Sequence, residues 1–294
     1  MPVILKEKIP GVFRVAARLI CLAIVKKSVR LCFAEAFWPS AEPIPVAMGK
    51  IYFVSDSHLG VPDRESSLTR EKLLVKWLDE VSADASEIFL LGDIFDFWFE
   101  YRTVVPKGFV RLLGKLAELA DRGIRLHFFT GNHDIWVFDY LEKEVGMEIH
   151  RGPVERNVDG KRLYIGHGDG LGPGDRGYKF LKSIFTCRLC QRIFSFIHPG
   201  TGIRLALFLS RRSRVANGSS DEQYLGDERE LLVAHCREVL KSRKVDYFVF
   251  GHRHLPLDME IAPGCRYFNT GDWVTHFSFA VFENGIMTLK YYQS

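Results

Sequence analysis

Ile51-Tyr52-Phe53-Val54-Ser55-Asp56-Ser57-His58 is a run of β-branched and aromatic residues that ends on two side chains able to hold a metal ion. Four or five such residues, bounded by small polar ones, read as a strand buried on both faces. The pattern recurs. Glu87 to Leu91 runs into Gly92-Asp93, and Arg125 to Phe129 into Gly131-Asn132-His133-Asp134. Arg162 to Ile165 runs into Gly166-His167-Gly168-Asp169, and Asp246 to Phe250 into Gly251-His252-Arg253-His254. Between the runs, Glu71 to Val81, Val110 to Asp121 (stopping at Gly123), a stretch through Tyr140 and Glu142, and Asp227 to Leu240 have helical spacing. Asp159-Gly160 predicts a hairpin between strands near Val154–Val158 and Arg162–Ile165. Pro263-Gly264 and Asn284-Gly285 divide the tail, Met259 to Tyr292, into antiparallel strands. Strands alternating with helices, then antiparallel strands, predict an α/β sandwich with sheets covered by helices and ligands beyond the carboxyl ends of strands.

The residues at those ends have a common chemistry. Asp56, His58, Asp93, Asn132, His167, His252 and His254 offer carboxylate, amide and imidazole donors without a thiolate. That set suits Mn²⁺, Fe²⁺, Co²⁺ or Zn²⁺ at an open site of higher coordination. A carboxylate such as Asp93 can bridge two cations with its two oxygens. Two cations roughly 3.5–4 Å apart clamp a phosphate, bring the pKa of a shared water near neutrality and stabilise the leaving oxygen. Asp134 and Asp169 read as groups that orient ligands or close turns. Taken singly, each block is an ordinary turn motif; five in order at strand ends are a site.

The remainder bounds the molecule. At 294 residues, 47% apolar and 26% charged, the chain is long enough for one large domain with an insertion or for two small ones, and neither disordered nor membrane-spanning as a whole. Six irregularly spaced cysteines suggest reduced thiols; Cys187 and Cys190 read as small apolar residues of a packed helix. Residues 1–47 have a different composition, with Arg14, Arg18, Lys26, Lys27 and Arg30 among apolar residues. A cleaved leader, with Ala34-Glu35-Ala36 as its small-residue site, has its apolar core split by Lys26-Lys27, and a basic helix lying on an anionic membrane is a second option. The expectation is that Met48 is the true start and the preceding residues are dispensable.

Residues 171–220 interrupt the sandwich and predict a helical cap between core segments 48–170 and 221–294. Arg176, Lys179, Lys182, Arg188, Arg192, Arg204, Arg211, Arg212 and Arg214 face one acid, Asp175, an excess of eight against +4 for the whole chain. Phe180, Leu181, Ile184, Phe185, Phe194, Phe196, Leu205, Phe208 and Leu209 are interleaved with them. A soluble nucleotide does not need so apolar a cover. An amphiphile does, its chains between cap and core and its phosphates or an anionic membrane surface on the arginines. The bland alternative is a cap with its own small core and a solvated basic face. A nucleic-acid groove is disfavoured because the basic residues concentrate on one apolar insertion.

These five blocks resemble the calcineurin-like metallophosphoesterase superfamily from Met48 onward. The resemblance implies an αββα sandwich with a helical cap. It assigns Asp56, His58, Asp93 and His254 to one ion, and Asp93, Asn132, His167 and His252 to the other, Mn²⁺ being expected and Fe²⁺ or Zn²⁺ alternatives. It gives His133 the role of stabilising the transition state or assisting the leaving group. Leu91-Gly92-Asp93-Ile94-Phe95-Asp96-Phe97-Trp98, Asp175 and Tyr178 after the His167 block, and Gly271-Asp272-Trp273 are similar to the bacterial UDP-2,3-diacylglucosamine diphosphatases of lipid A synthesis. The enterobacterial members carry Arg where this chain has His133. That likeness implies cleavage of a lipid-nucleotide pyrophosphate at the cytoplasmic face of the inner membrane. Asn132, Asp175, Arg176, Tyr178 and Trp273 become candidate substrate contacts, and no obligate protein partner is expected. A metallophosphoesterase for a soluble phosphoester is the alternative, and a non-catalytic membrane scaffold with a structural metal site a more distant one.

Overall fold

The computed structural model describes residues 49–174, 176–217, 226 and 230–293. The N-terminal extension and Asp175 lie outside the described residues. β1 (Lys50–Val54) alternates between two cores, Tyr52 and Val54 facing one, Ile51 and Phe53 the other. It lies beside β2 (Ala85–Leu90), parallel, and β2 beside β3 (Arg125–Phe129), also parallel. The first sheet has the order β11 (Ile286–Tyr291), β10 (Ser278–Glu283), β1, β2, β3, β4 (Glu148–His150). The second has the order β5 (Val154–Val158), β6 (Lys161–Ile165), β7 (Tyr247–Phe250), β9 (Cys265–Thr270), β8 (Pro256–Ala262), β6 and β7 being parallel.

The tail folds as its turns predict. β8 (Pro256–Ala262) pairs antiparallel with β9 (Cys265–Thr270), and β10 (Ser278–Glu283) with β11 (Ile286–Tyr291). β5 (Val154–Val158) and β6 form the hairpin expected at Asp159-Gly160.

Three apolar clusters define the layers. Helices α1 (Arg64–Val81) and α2 (Val110–Asp121) bury Leu74, Trp77, Leu112 and Leu116 against the outer face of the first sheet. Phe53, Phe89, Phe129, Ile165, Val249 and Phe268 fill the space between the sheets. Helix α6 (Leu231–Leu240) covers the second sheet with Leu232, Val233 and Cys236. The order helix, sheet, sheet, helix is the expected αββα sandwich.

Two expectations about the core's helices need correction. Helix α1 starts seven residues before Glu71, because Asp63 caps it by accepting from the amides of Glu65 and Ser66 at 2.9 Å each. The stretch through Tyr140 and Glu142 makes only a π-helical turn, Leu141–Val145, closed by Gly146 at φ 82° and followed by the three-residue strand β4 (Glu148–His150).

Residues 176–217 hold three helices: α3 (Arg176–Thr186), α4 (Arg188–Ser195) and α5 (Pro199–Asn217). Their seat on the core is aromatic. Phe194 packs on Trp136, Phe99 and Phe97, with centroids 4.7, 4.8 and 6.3 Å away, and Trp136 Nε1 donates to the Phe185 carbonyl at 2.8 Å. Cys187 and Cys190 are not packed inside a helix: Cys187 is exposed at the start of α4 and Cys190 is half-buried.

Candidate metal centre

The two sheets deliver the seven side chains to one place. Asp56 and His58 follow β1, Asp93 follows β2, Asn132 follows β3, His167 follows β6, and His252 and His254 follow β7. One cluster is Asp56, His58 and His254; a second is Asp93, His167 and His252. Asp93 also lies with His58 and His133, so it borders both.

The backbone is bent to achieve this. Of nine non-glycine residues at positive φ among the described residues, Asp56, His58, Asp93, His252 and His254 are five. Each such residue costs of the order of 1–3 kcal/mol, which surrounding contacts must hold. They do. The His252 amide donates to Asp56 Oδ2 at 2.9 Å, and the His133 amide to Asp93 Oδ1 at 2.8 Å. The Arg70 guanidinium, buried under the first loop, donates to the carbonyls of Ser57, His58 and Val61. Asp134 bridges two loops, accepting from the Gly131 amide on one oxygen and the Ile94 amide on the other.

Hydrogen bonding also fixes which imidazole nitrogen faces the centre. His167 Nδ1–H donates to the Leu91 carbonyl at 2.7 Å, because a carbonyl can only accept. Its Nε2 then faces Asp93 Oδ2 at 3.5 Å and Asn132 Oδ1 at 3.4 Å. His58 directs Nδ1 to Asp96 Oδ1 at 3.4 Å and Nε2 to His254 Nε2 at 3.0 Å. Asp272 Oδ1 accepts from the amides of Val274, Thr275 and His276, while its Oδ2 meets His276 Nδ1 at 3.2 Å and lies 3.9 Å from His254 Nδ1. A carboxylate behind an imidazole is how metal-binding histidines are oriented.

The donor set fits cations. Asp56 Oδ1 is fully buried with no aligned hydrogen-bond donor, although His254 Nε2 and His58 Nε2 lie 3.3 and 3.7 Å away. Three electron-rich atoms converging with so little hydrogen bonding between them are the arrangement a cation satisfies. Burial alone would raise the Asp56 carboxyl, but the imidazoles of His254, His58 and His167 outweigh it and hold it well below the usual carboxylate range. Asp93 is lowered in the same way, burial being overcome chiefly by His167 and His133. Burial pushes His58 down to about 3. Burial also opposes charge on His167, yet Asp93 and Asp56 raise it to about 10. Burial and then the Asp93 charge raise Asp134 to about 7. Carboxylates held ionised beside imidazoles attract either protons or metal ions, so metal binding competes with protonation here.

A further group, His127, Glu148 and His150, is of another kind. His127 Nε2 meets Glu87 at 2.9 Å and its Nδ1 meets His150 at 3.2 Å, while Arg125 and Arg156 both pair with Glu87. Two guanidiniums beside a self-satisfied network disfavour another cation.

Asp96 is the residue that sequence reasoning missed. Fully buried, it lies 3.4 Å from His133 Nδ1 as well as from His58, and its backbone carbonyl accepts from His133 Nδ1–H at 3.0 Å. It sits three residues after Asp93 in a segment whose neighbours Phe95 and Trp98 are core.

The candidate substrate contacts fare unevenly. Asn132 and His133 flank the centre, partly exposed. Arg176 is exposed at the start of α3. Tyr178 donates its hydroxyl to Asp169, which Lys182 also pairs with at 2.6 Å, so this pair ties the cap to the His167 loop. Trp273 is corrected. It is completely buried against Trp77, Phe277 and Tyr292, and belongs to the core because the turn around Asp272 folds it inward.

Two clusters of carboxylate and imidazole meeting at Asp93, at the open end of an αββα sandwich, are the mark of a hydrolase that works through divalent cations. Residues 49–256 match the calcineurin-like phosphoesterase family, and the chain belongs to it. It is 38% identical to the UDP-2,3-diacylglucosamine hydrolase of Porphyromonas gingivalis over 253 residues, 82% of this chain and 97% of that protein. It is 26% identical to the enzyme of the same name from Neisseria gonorrhoeae, over 69% of this chain and 81% of that one. Among solved structures, a phosphoesterase from E. coli, Yfce, matches 81% of this chain and 90% of its own at 15% identity and a TM-score of 0.40. The family match and the relatives make the chain a hydrolase of the metallophosphoesterase type.

Proposed function

We propose that the protein hydrolyses UDP-2,3-diacylglucosamine to UMP and 2,3-diacylglucosamine 1-phosphate. Asp56, His58, Asp93 and His254 would hold one divalent ion, and Asp93, Asn132, His167 and His252 the other, Mn²⁺ being the expected metal and Fe²⁺ or Zn²⁺ alternatives. When bound, such ions supply charge to clamp the phosphate and a water activated near neutral pH. In the net reaction the water oxygen bonds to one phosphorus, the bond from that phosphorus to the bridging oxygen breaks, the bridging oxygen leaves on the other phosphate, and the water's proton goes to solvent. This chain's residues do the positioning. Asp93 borders both clusters, the Leu91 carbonyl orients His167, and His133 turns Nε2 toward the site because its Nδ1–H is held by the Asp96 carbonyl.

The observation that carries the lipid part of this reading is the cap's exposed apolar surface. Phe180, Leu189, Ile193, Phe196, Phe208 and Leu209 all open to solvent, Phe196 at 82% and Phe180 at 69%. Such a surface marks an interaction site. Between cap and core, Thr130, Gly131, Ile135, Phe138, Lys182 and Arg188 line part of a cavity of about 290 Å³ beside Asn132, mixing cations with apolar walls as a phosphorylated amphiphile requires. Among the described residues no helix is long and apolar enough to cross a membrane. On this reading the protein works peripherally, its basic apolar cap on the anionic cytoplasmic face of the inner membrane, without nucleic acid or an obligate protein partner.

The test uses Asp93→Ala with the wild type. The wild type should release UMP in preference to cleaving bis-p-nitrophenyl phosphate. The variant should lose hydrolysis and bound metal while binding liposomes of anionic phospholipid like the wild type. A preference for the soluble ester, or turnover by the variant, would overturn the reading.

A further inference from the structure

Among the residues of α5 whose burial is described, Ser210 is the polar one on the inward face. Ile203, Ala206, Leu207 and Ser210 are partly buried at helical spacing, whereas Arg204, Leu205, Phe208 and Leu209 are exposed. The helix is seated upstream at Gly202, where a Cβ would stand 2.5 Å from the Tyr101 hydroxyl and 3.2 Å from the Phe194 ring. A serine among apolar inward positions gives up packing and brings a hydroxyl that must be satisfied. It is satisfied in the centre. Ser210 Oγ donates to Asp96 Oδ2 at 3.0 Å and lies 3.4 Å from His133 Nδ1.

We infer that Ser210 is a positioning residue through which the seated cap orients His133. Asp96 stands between them, its Oδ1 3.4 Å from both His133 Nδ1 and His58 Nδ1 and its carbonyl on His133 Nδ1. A hydroxyl on the second carboxylate oxygen restrains rotation of that carboxylate, and with it the direction in which His133 presents Nε2. A hydrogen bond to a charged group carries more than a neutral one. Because the hydroxyl arrives on a cap helix, His133 is fully oriented only while α5 is seated. Occupancy of the cap by the apolar part of a substrate thereby acts on the reacting end. The assignment rests on the proposed reaction, with His133 beside the phosphate.

The experiment is a double-mutant cycle of Ser210→Ala and His133→Ala on the Mn²⁺-loaded full chain, measured on UDP-2,3-diacylglucosamine and on bis-p-nitrophenyl phosphate. Ser210→Ala should lower kcat by roughly 10- to 100-fold, the equivalent of one hydrogen bond to a charged group. KM should change less than about twofold, as for an interaction realised in the transition state. Metal content should be unchanged, and Ser210→Thr should restore most of the rate. In the His133→Ala background the same change should have almost no effect, because a group acting through His133 has nothing left to orient. An unaltered kcat, or an equal loss in both backgrounds, would overturn the inference. Hydrolysis of the soluble ester alone would instead overturn the proposed substrate, and the cycle would still be read on that ester.

Discussion

Replacing Gly131 by alanine would put a methyl carbon 2.2 Å from Asp93 Oδ1, 2.7 Å from the Asp93 amide nitrogen and 2.9 Å from Asp93 Cγ. Ordinary contact begins near 3.4 Å, so the carboxylate or the loop must retreat by about 1.2 Å. That oxygen also accepts from the His133 amide, so the displacement reaches both the shared carboxylate and the histidine turn. A misplacement of about 1 Å in a positioned site costs around 100-fold in rate, and forcing a methyl into a packed site costs typically 1–3 kcal/mol of stability. Gly131→Ala should therefore lose about two orders of magnitude in kcat at saturating Mn²⁺ and hold less metal per chain. Gly114→Ala is the control. It lies inside α2 with nothing within 4 Å of the added carbon, and should gain about 0.5–1 kcal/mol at unchanged rate. Steady-state kinetics, metal analysis and urea unfolding report the three quantities. Activity of Gly131→Ala within threefold of wild type, at full metal content, would show that Asp93 has no fixed position and would refute the geometric account.

Arg70→Ala leaves three buried carbonyls beneath the His58 loop without their guanidinium donor. Mn²⁺ affinity should fall by roughly 10- to 100-fold, as for loss of a group supporting metal ligands; an unchanged titration would mean that the loop keeps its shape unaided. Glu87→Gln probes pH dependence away from the metals. Burial raises the Glu87 carboxyl, but His127, Arg156 and Arg125 outweigh it and bring it below its ordinary 4.5. A carboxyl lowered on folding contributes stability above its unfolded value, and that contribution disappears as pH falls through the folded one. Wild type should exceed the variant by roughly 1.5–3 kcal/mol at neutral pH, the span for a hydrogen bond to a charged group. The two should converge in urea unfolding at pH values below the folded pKa, and a constant gap would contradict the linkage.

Much of the sandwich was legible because its strands are buried on two faces and end abruptly. Ile51 to Val54 and Asp246 to Phe250 are runs that only a sheet between two apolar layers accommodates, and each stops where ligand-type residues begin. β4 was illegible because three residues of mixed polarity, Glu148 to His150, have no period to read. Trp273 misled for a different reason: the turn aims it and its sequence neighbour Asp272 oppositely, Asp272 toward His276 and His254 and Trp273 into the core.

The side chains that orient the ligands were hidden by distance along the chain. Asp96 and Arg70 act on His58 and the His58 loop across separations that no local pattern encodes. The left-handed backbone at Asp56, His58, Asp93, His252 and His254 was hidden too, since glycine is the usual sign of positive φ and none of these is glycine. Glycines occupy the neighbouring positions instead. Gly92, Gly131 and Gly251 leave room for His167, Asp93 and Asp56, each with a would-be Cβ under 3 Å from the side chain it admits. The blocks thus divide their labour: glycines permit the approach of one loop's ligand to the next loop, and the ligands themselves take the strain. A donor set assembled this way cannot relax into a tighter, self-bonded cluster, because each loop is already held by the amides and carbonyls of its neighbours. What remains unsatisfied, chiefly Asp56 Oδ1 between two imidazoles, is then available to a cation.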